Sequence, residues 1–268
     1  MKVLLFVTAL FAVVPCFAKT IYVNAAHYGR SGMTGESETL AYGTLQEGVG
    51  AAKTGDTVLV AEGDYAQGGA ADGRGYWNRA ILDASYVNVK ATGRREKTRI
   101  IGAWDKDSTY AYGGVGANAV RCFQFTSNAY YSVLEGFTLC DGACHTEVDD
   151  YSGYAGGVLG GSNNRRFYAV DCEIIGCVGV RGSATRYMTC VRCRISGNRG
   201  GNAAGRESSF LNCEITGNYL IFADCALVKI TQHYFCHVFR FQVTAPAARF
   251  DAVGVRLPEG IVDAERFK

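Results

Sequence analysis

The stretch "CRISGN", Cys193 to Asn198, is preceded by "CEIIGC" at 172–177 and followed by "CEITGN" at 213–218. Cys172, Cys193 and Cys213 stand 21 and 20 residues apart, so one short pattern returns at a near-constant step. Two places before the cysteines are Val170, Val191 and Leu211; two places after them are Ile174, Ile195 and Ile215. Apolar residues at every second position predict a strand with one buried face. Asp171, Arg192 and Asn212, then Glu173, Arg194 and Glu214, fall between and are expected to face out. Each segment ends at a glycine followed by Cys177, Asn198 or Asn218, and Gly and Asn tolerate the left-handed angles of a turn.

Coils of about twenty residues, each giving a short strand to one face, describe an all-β solenoid, the parallel β-helix. Like residues then stack about 4.8 Å apart and fill a narrow core with columns of Val, Cys and Ile. The Leu framework of a leucine-rich repeat is absent, and a β-propeller needs about forty residues per unit. An earlier strand, "EGFTLCDG" at 135–142, places Phe137 and Leu139 in the inward columns, with Phe137 35 residues before Cys172. Glu135 falls in an apolar column, so the strand is expected to begin after it; the functional alternative is a buried carboxylate.

The chain opens with Lys2, the uncharged "VLLFVTALFAVV", Pro15 and "CFA". That order predicts a secretory signal over 1–18, cut after Ala18, and an exported mature chain. Twelve apolar residues, at about 1.5 Å each, fall short of a bilayer core about 30 Å thick, and no later segment is long and apolar enough to span one. Past the signal, 26 basic residues face 25 acidic ones, a balance that calls for neither nucleic acid nor an anionic membrane. Of 34 glycines, 32 lie between 19 and 218, where there is no proline. The β-helix is therefore expected over 19–218, and 219–268 is read as a C-terminal cap or the altered remnant of a longer chain.

Near the start, "TLQEGVGAA" has Thr44 and Glu47 at capping-box spacing, with Leu45, Val49 and Ala52 on one helical face. A helix there would cover the open end of the first coil. The whole opening, "IYVNAA…AYGTLQEGVGAAKTGDTVLVAEGDY", resembles bacterial exported right-handed parallel β-helix proteins of the pectin-lyase-like superfamily, in particular the group that includes polymorphic outer-membrane-type sequences. The resemblance covers residues 20 to about 218 and implies the fold, with that N-terminal helix as its cap. It leaves activity open, because the superfamily hosts lyases, hydrolases, adhesins and non-enzymes.

Eleven cysteines, ten past the signal, admit three readings. Cys190 and Cys193 form a C-x-x-C, and Cys140, Cys144 and His145 lie together, but a zinc site needs four converging ligands. For a disulfide, Cys140 with Cys144 is the best local pair. Cys172, Cys193 and Cys213 read as small core residues.

Enzymes of the resembling superfamily work in a groove on the outside of one sheet. The resemblance implies that a lyase needs acids holding calcium beside an Arg or Lys base, and a hydrolase needs paired carboxylates. If the chain is an enzyme, the candidates are Asp149, Asp150 and Arg194. Glu147, Asp149 and Asp150, three carboxylates within four residues, would hold calcium, the one cofactor considered. For sugar binding the candidates are Tyr76, Trp77, Arg79, Tyr151 and Tyr154. Against catalysis, Asp171 should face Arg192, and Glu173, Arg194 and Glu214 alternate in sign up the stack, which makes Arg194 a poor base. The reading is an exported, non-enzymatic scaffold binding a polysaccharide or another cell-surface or matrix component. The alternative is a polysaccharide lyase or glycoside hydrolase acting on an acidic polysaccharide.

Overall fold

The computed structural model describes residues 18–110, 113–145, 154–162, 166–200, 204–219, 222–223 and 226–230. Residues 1–17 of the expected signal over 1–18, the candidates Glu147, Asp149, Asp150 and Tyr151, and the chain after Ile230 lie outside the described residues.

Short strands wind through three parallel sheets. In the first, Thr20–Val23, Thr57–Val60, Asn88–Ala91, Val133–Glu135, Tyr168–Val170 and Thr189–Val191 pair in that order and end on Ser209–Thr216. The second carries Gly63–Tyr65, Thr98–Ile101, Thr138–Cys140, Glu173–Ile175 and Arg194–Ser196 onto the later half of Ser209–Thr216. The third stacks Ile81–Leu82, Phe123–Phe125, Val158–Leu159, Thr185–Arg186 and Gly205–Arg206. This is the right-handed parallel β-helix. The stacking runs through the boundary expected near Tyr219: Phe222–Ala223 pairs with Gly205–Arg206, and Ala226–Ile230 pairs with Ser209–Thr216.

The repeated hexamer differs in one respect from the expected single strand. Asp171, Arg192 and Asn212 have φ of 52°, 52° and 53°, so each turns the chain between the first and second sheets. A left-handed residue resets the inward–outward alternation. Ala169, Cys190 and Phe210 therefore point into the core on one side of the corner, and Cys172, Ile174, Cys193, Ile195, Cys213 and Ile215 on the other. Val170 and Val191, expected inside with them, instead join Val133 and Tyr168 in a separate buried cluster on the outer side of the first sheet, with Leu211 against it. Glu135 is explained by the same corner. It ends a first-sheet strand facing out, pairs with Lys90 at 3.0 Å, and is followed by Gly136 at φ 81° and the inward Phe137.

At the next corner Gly176, Gly197 and Gly217 take φ of 65°, 63° and 61°, as their turn role predicts. The asparagines after them form a ladder. Asn198 accepts from Cys177 N at 2.9 Å and donates to Ile174 O at 2.9 Å, while Asn218 accepts from Asn198 N at 2.9 Å and donates to Ile195 O at 2.8 Å. Both side chains are buried, so each satisfies backbone groups that the turn would leave orphaned.

Helix α1 spans Leu45–Ala51, and its capping box forms as the sequence predicts: Thr44 Oγ1 accepts from Glu47 N at 3.2 Å, and Thr44 N donates to Glu47 Oε2 at 2.9 Å. Leu45 and Val49 are buried in the core. The helix lies so close to the first strand that a Cβ on Gly48 would sit 2.2 Å from Val23 Cγ2.

All eight cysteines among the described residues are buried free thiols, so Cys140 and Cys144 do not form the local disulfide considered from sequence. Cys140 lies on the second sheet, whereas Cys144 packs with Val115, Ala119, Ala143 and Val178 in a small separate cluster. Among the described residues no group of three or more metal-ligating side chains converges.

Removing Asn198 should leave Cys177 N and Ile174 O without their partner. Asn198→Ala is expected to cost about 1–3 kcal/mol, read as a lower urea midpoint at unchanged slope. Burial pushes the Cys140 thiol up to about 12, against about 8.5 in an unfolded chain. The folded state thus keeps a proton that the unfolded chain releases, so this contribution is complete below about pH 8.5 and declines as pH rises toward the folded value. Unfolding free energy should fall from about pH 9 to 11, and less steeply in Cys140→Ala.

Candidate functional site

The outer side of the second sheet carries a ladder of charge. Asp64 and Arg99 face each other across adjacent strands, joined at 2.7 and 2.6 Å. The Arg99 hydrogen bond holds the Asp64 carboxyl below the usual carboxylate range. Further along, Arg194 stands 3.7 Å from Glu173 and 3.7 Å from Glu214, and at the corner before this sheet Arg192 grips Asp171 at 2.7 and 2.5 Å. The alternation expected from sequence is therefore a set of cross-rung ion pairs, each about 0.2–1 kcal/mol at such exposure. Arg194, the candidate base, is engaged by carboxylates on both sides.

The aromatic candidates do not form one platform. Tyr76 is buried and lies against the His145 ring, at 4.7 Å between centroids. Trp77 is 51% exposed and presents its ring to solvent. Arg79 is buried and bound to two carbonyls, Ile101 O through Nε at 2.8 Å and Gly68 O through Nη1 at 2.6 Å. Those bonds tie the hairpin formed by Ala70–Ala71 and Trp77–Asn78 to the solenoid. Tyr154 is buried beneath Arg186, whose guanidinium carbon lies 3.2 Å from its ring centre. Asp149, Asp150, Glu147 and Tyr151 lie outside the described residues.

The structure assembles a different aromatic surface, at the corner between the third and first sheets. Tyr86, Tyr131 and Tyr187 take φ of 56°, 59° and 58° there, each two residues before a first-sheet strand. A left-handed corner residue directs its side chain away from the coil, so the tyrosines line up along the solenoid. Tyr86 and Tyr131 are stacked at 5.2 Å and 25°, and Tyr130 meets both edge-on at 5.8 Å. The Arg166 guanidinium lies 5.4 Å from the Tyr131 ring centre, carrying the row to the next rung. Tyr86 is 50% exposed and Tyr130 39% exposed. Sequence reasoning missed this ridge, although a signal was present: "YVNV", "YSVL" and "YMTC" put a tyrosine at the same offset in three of four consecutive coils, with Arg166 at that place in the other.

Past the ridge, Arg186 occupies the outer side of the third sheet. Its Nε donates to Glu207 Oε2 at 2.7 Å and its Nη2 to Tyr187 Oη at 2.7 Å, with the Tyr154 face against it. Only 5% of that side chain is exposed, compared with 48% for Arg194. Two arginines paired with glutamates therefore separate energetically. Arg186→Ala should cost about 3–5 kcal/mol by leaving a partly buried carboxylate unpaired, whereas Arg194→Ala should cost less than about 1 kcal/mol. Urea unfolding of the two variants side by side checks the contrast.

No protein-family model matches the chain, and no curated protein matches it significantly. Among solved structures, the pectin methylesterase PemA from Erwinia chrysanthemi is similar at TM-score 0.45 and 16% identity, over 78% of this chain and 57% of that one. A pectin methylesterase mutant in complex with hexasaccharide IV is similar at TM-score 0.43 and 17% identity, over 69% of this chain and 53% of that one. A pectin methylesterase in complex with hexasaccharide VII is similar at TM-score 0.42 and 16% identity, over the same 69% and 53%. The chain thus spans little more than half the length of the structures it matches.

Proposed function

We propose that this chain is an exported β-helix scaffold that holds polysaccharide along its lateral face, at the Tyr86–Tyr130–Tyr131 ridge, without cleaving it. The observation that carries the reading is a row of mutually packed rings at one corner, with Tyr86 and Tyr130 exposed and Tyr131 half-buried between them and the sheet. Flat aromatic faces bury the C–H faces of sugar rings, and rings already packed on one another lose little freedom when a chain settles on them. The Arg166 guanidinium, beside Tyr131, extends that row along the stack. Binding is favoured over cleavage because Arg194, the base candidate, is engaged by Glu173 and Glu214. Calcium at Glu147, Asp149 and Asp150 remains the one cofactor in the proposal.

The test is retention on insoluble uronate and neutral polysaccharides, with and without calcium. Wild type should be retained on at least one, and the Tyr86→Ala/Tyr131→Ala double variant should bind about fivefold to a hundredfold more weakly, the worth of two lost aromatic contacts. Equal retention of that variant overturns the ridge. Release of unsaturated product absorbing in the ultraviolet, abolished by Arg194→Ala or Asp149→Ala, makes the protein a lyase and overturns the non-enzymatic reading.

A further inference from the structure

A cleft of about 580 Å³ opens on the outer side of the third sheet, walled by helix α1 and by the hairpin at Ala70–Asn78. That volume is in the range of about 300–1,000 Å³ typical of small-molecule sites. Its floor is aliphatic and small, with Ile81 and Ala84, and its walls carry Gln46, Asp72, Asp83 and Gln124. None of these polar residues is needed for the tyrosine ridge.

The fold dictates how each polar group faces the cleft. Gln46 Oε1 accepts from Ile81 N at 2.8 Å, and Gln124 Oε1 accepts from Arg121 Nη1 at 2.9 Å. A backbone N–H and a guanidinium only donate, so both amides must present oxygen to them, which leaves the NH₂ of each of these lining residues as a donor. The carboxylates divide in the complementary way. Asp72 Oδ1 accepts from Arg74 N at 2.9 Å and Tyr76 N at 3.1 Å, which shapes the hairpin turn. Asp83 Oδ1 accepts from Thr126 Oγ1 and from Asn128 Nδ2, the latter at 3.2 Å. In each, Oδ1 serves the fold and Oδ2 is left as an acceptor.

Two donors, two strong acceptors and an aliphatic floor match a ring with hydroxyls at its edge and C–H groups on its face. Two carboxylates, with no arginine or lysine among the described residues of the cleft lining, disfavour an anion. The amide NH₂ groups, donors only, do not ligate a cation. We infer that this cleft is a binding site for a small neutral polyhydroxylated ligand, of the class of an uncharged hexose, independent of the ridge.

Saturation-transfer NMR on the full chain, with galactose, glucose, mannose and galacturonate as probes, tests this. At least one neutral hexose should receive saturation, with galacturonate about tenfold weaker. Asp83→Asn keeps Oδ1 for Thr126 and Asn128, and Gln124→Glu keeps an acceptor for Arg121, so both should melt like wild type while binding the hexose about fivefold to tenfold more weakly. Asp83→Asn should also narrow the gap to galacturonate, and Tyr86→Ala/Tyr131→Ala should change nothing. Saturation of none of the three hexoses, equal saturation of galacturonate, undiminished binding in folded Asp83→Asn and Gln124→Glu, or loss in the ridge variant overturns the inference.

Discussion

A left-handed residue at the corners of the later coils is the constraint on which the rest of this solenoid depends. Every coil must change direction without spending many residues, and one residue at positive φ achieves this. The chain places glycine at one corner, in Gly176, Gly197 and Gly217, where the conformation carries no steric cost. At the other two it uses Asp171, Arg192 and Asn212, and Tyr86, Tyr131, Tyr187 and Glu207. For residues with a Cβ the left-handed region costs about 1–2 kcal/mol each. The stack offsets that cost because neighbouring coils hold the corner from both sides, through parallel ladder bonds and through the asparagine ladder one corner on.

Corner chemistry then decides what each edge of the molecule presents. Where the corner is Asp171 under Arg192, the edge is a paired charge. Where it is tyrosine, the edge is a row of rings. The flat sheets between corners repeat the same logic in their outward columns, so Glu173, Arg194 and Glu214 neutralise one another coil by coil. Inside, Cys172, Cys193 and Cys213 occupy the position beside the corner, where there is room for a small apolar side chain. Their thiols donate weakly to carbonyls of the same and adjoining coils, Cys193 Sγ reaching Ala169 O at 3.2 Å and Val191 O at 3.4 Å.

The third sheet departs from this repetition by burying arginines, Arg186 on one of its strands and Arg121 just before another. Arg121 is fully enclosed, donating to Ala155 O, Tyr154 O, Asn78 Oδ1 and Gln124 Oε1. Enclosure pushes its guanidinium below the ordinary arginine range, since burial disfavours the charged form. Four acceptors around one cation also fix two parts of the cleft, the hairpin through Asn78 and the wall through Gln124, and hold the loop before Val158 through Tyr154 and Ala155. Rigid polar anchoring of this kind orients the groups that a ligand would meet.

From the sequence alone came the repeat length, the strand after each cysteine, the glycine turns, the capping box at Thr44 and Glu47, and the opposed charges on the outer columns. Each is set by neighbours in the chain or by a fixed offset of one coil, and such relations are visible as periodicity. The sequence could not show that Asp171, Arg192 and Asn212 bend the hexamer, because positive φ at a non-glycine residue depends on the coils above and below. Tertiary structure therefore decided that the side chains of Val170 and Val191 pack on the outer side of the first sheet, that Tyr76, Arg79 and Tyr154 are buried, and that Tyr86, Tyr130 and Tyr131 share one ridge. Those outcomes turn on which residues 21 to 45 positions apart meet across a rung, and insertions between coils make that offset irregular.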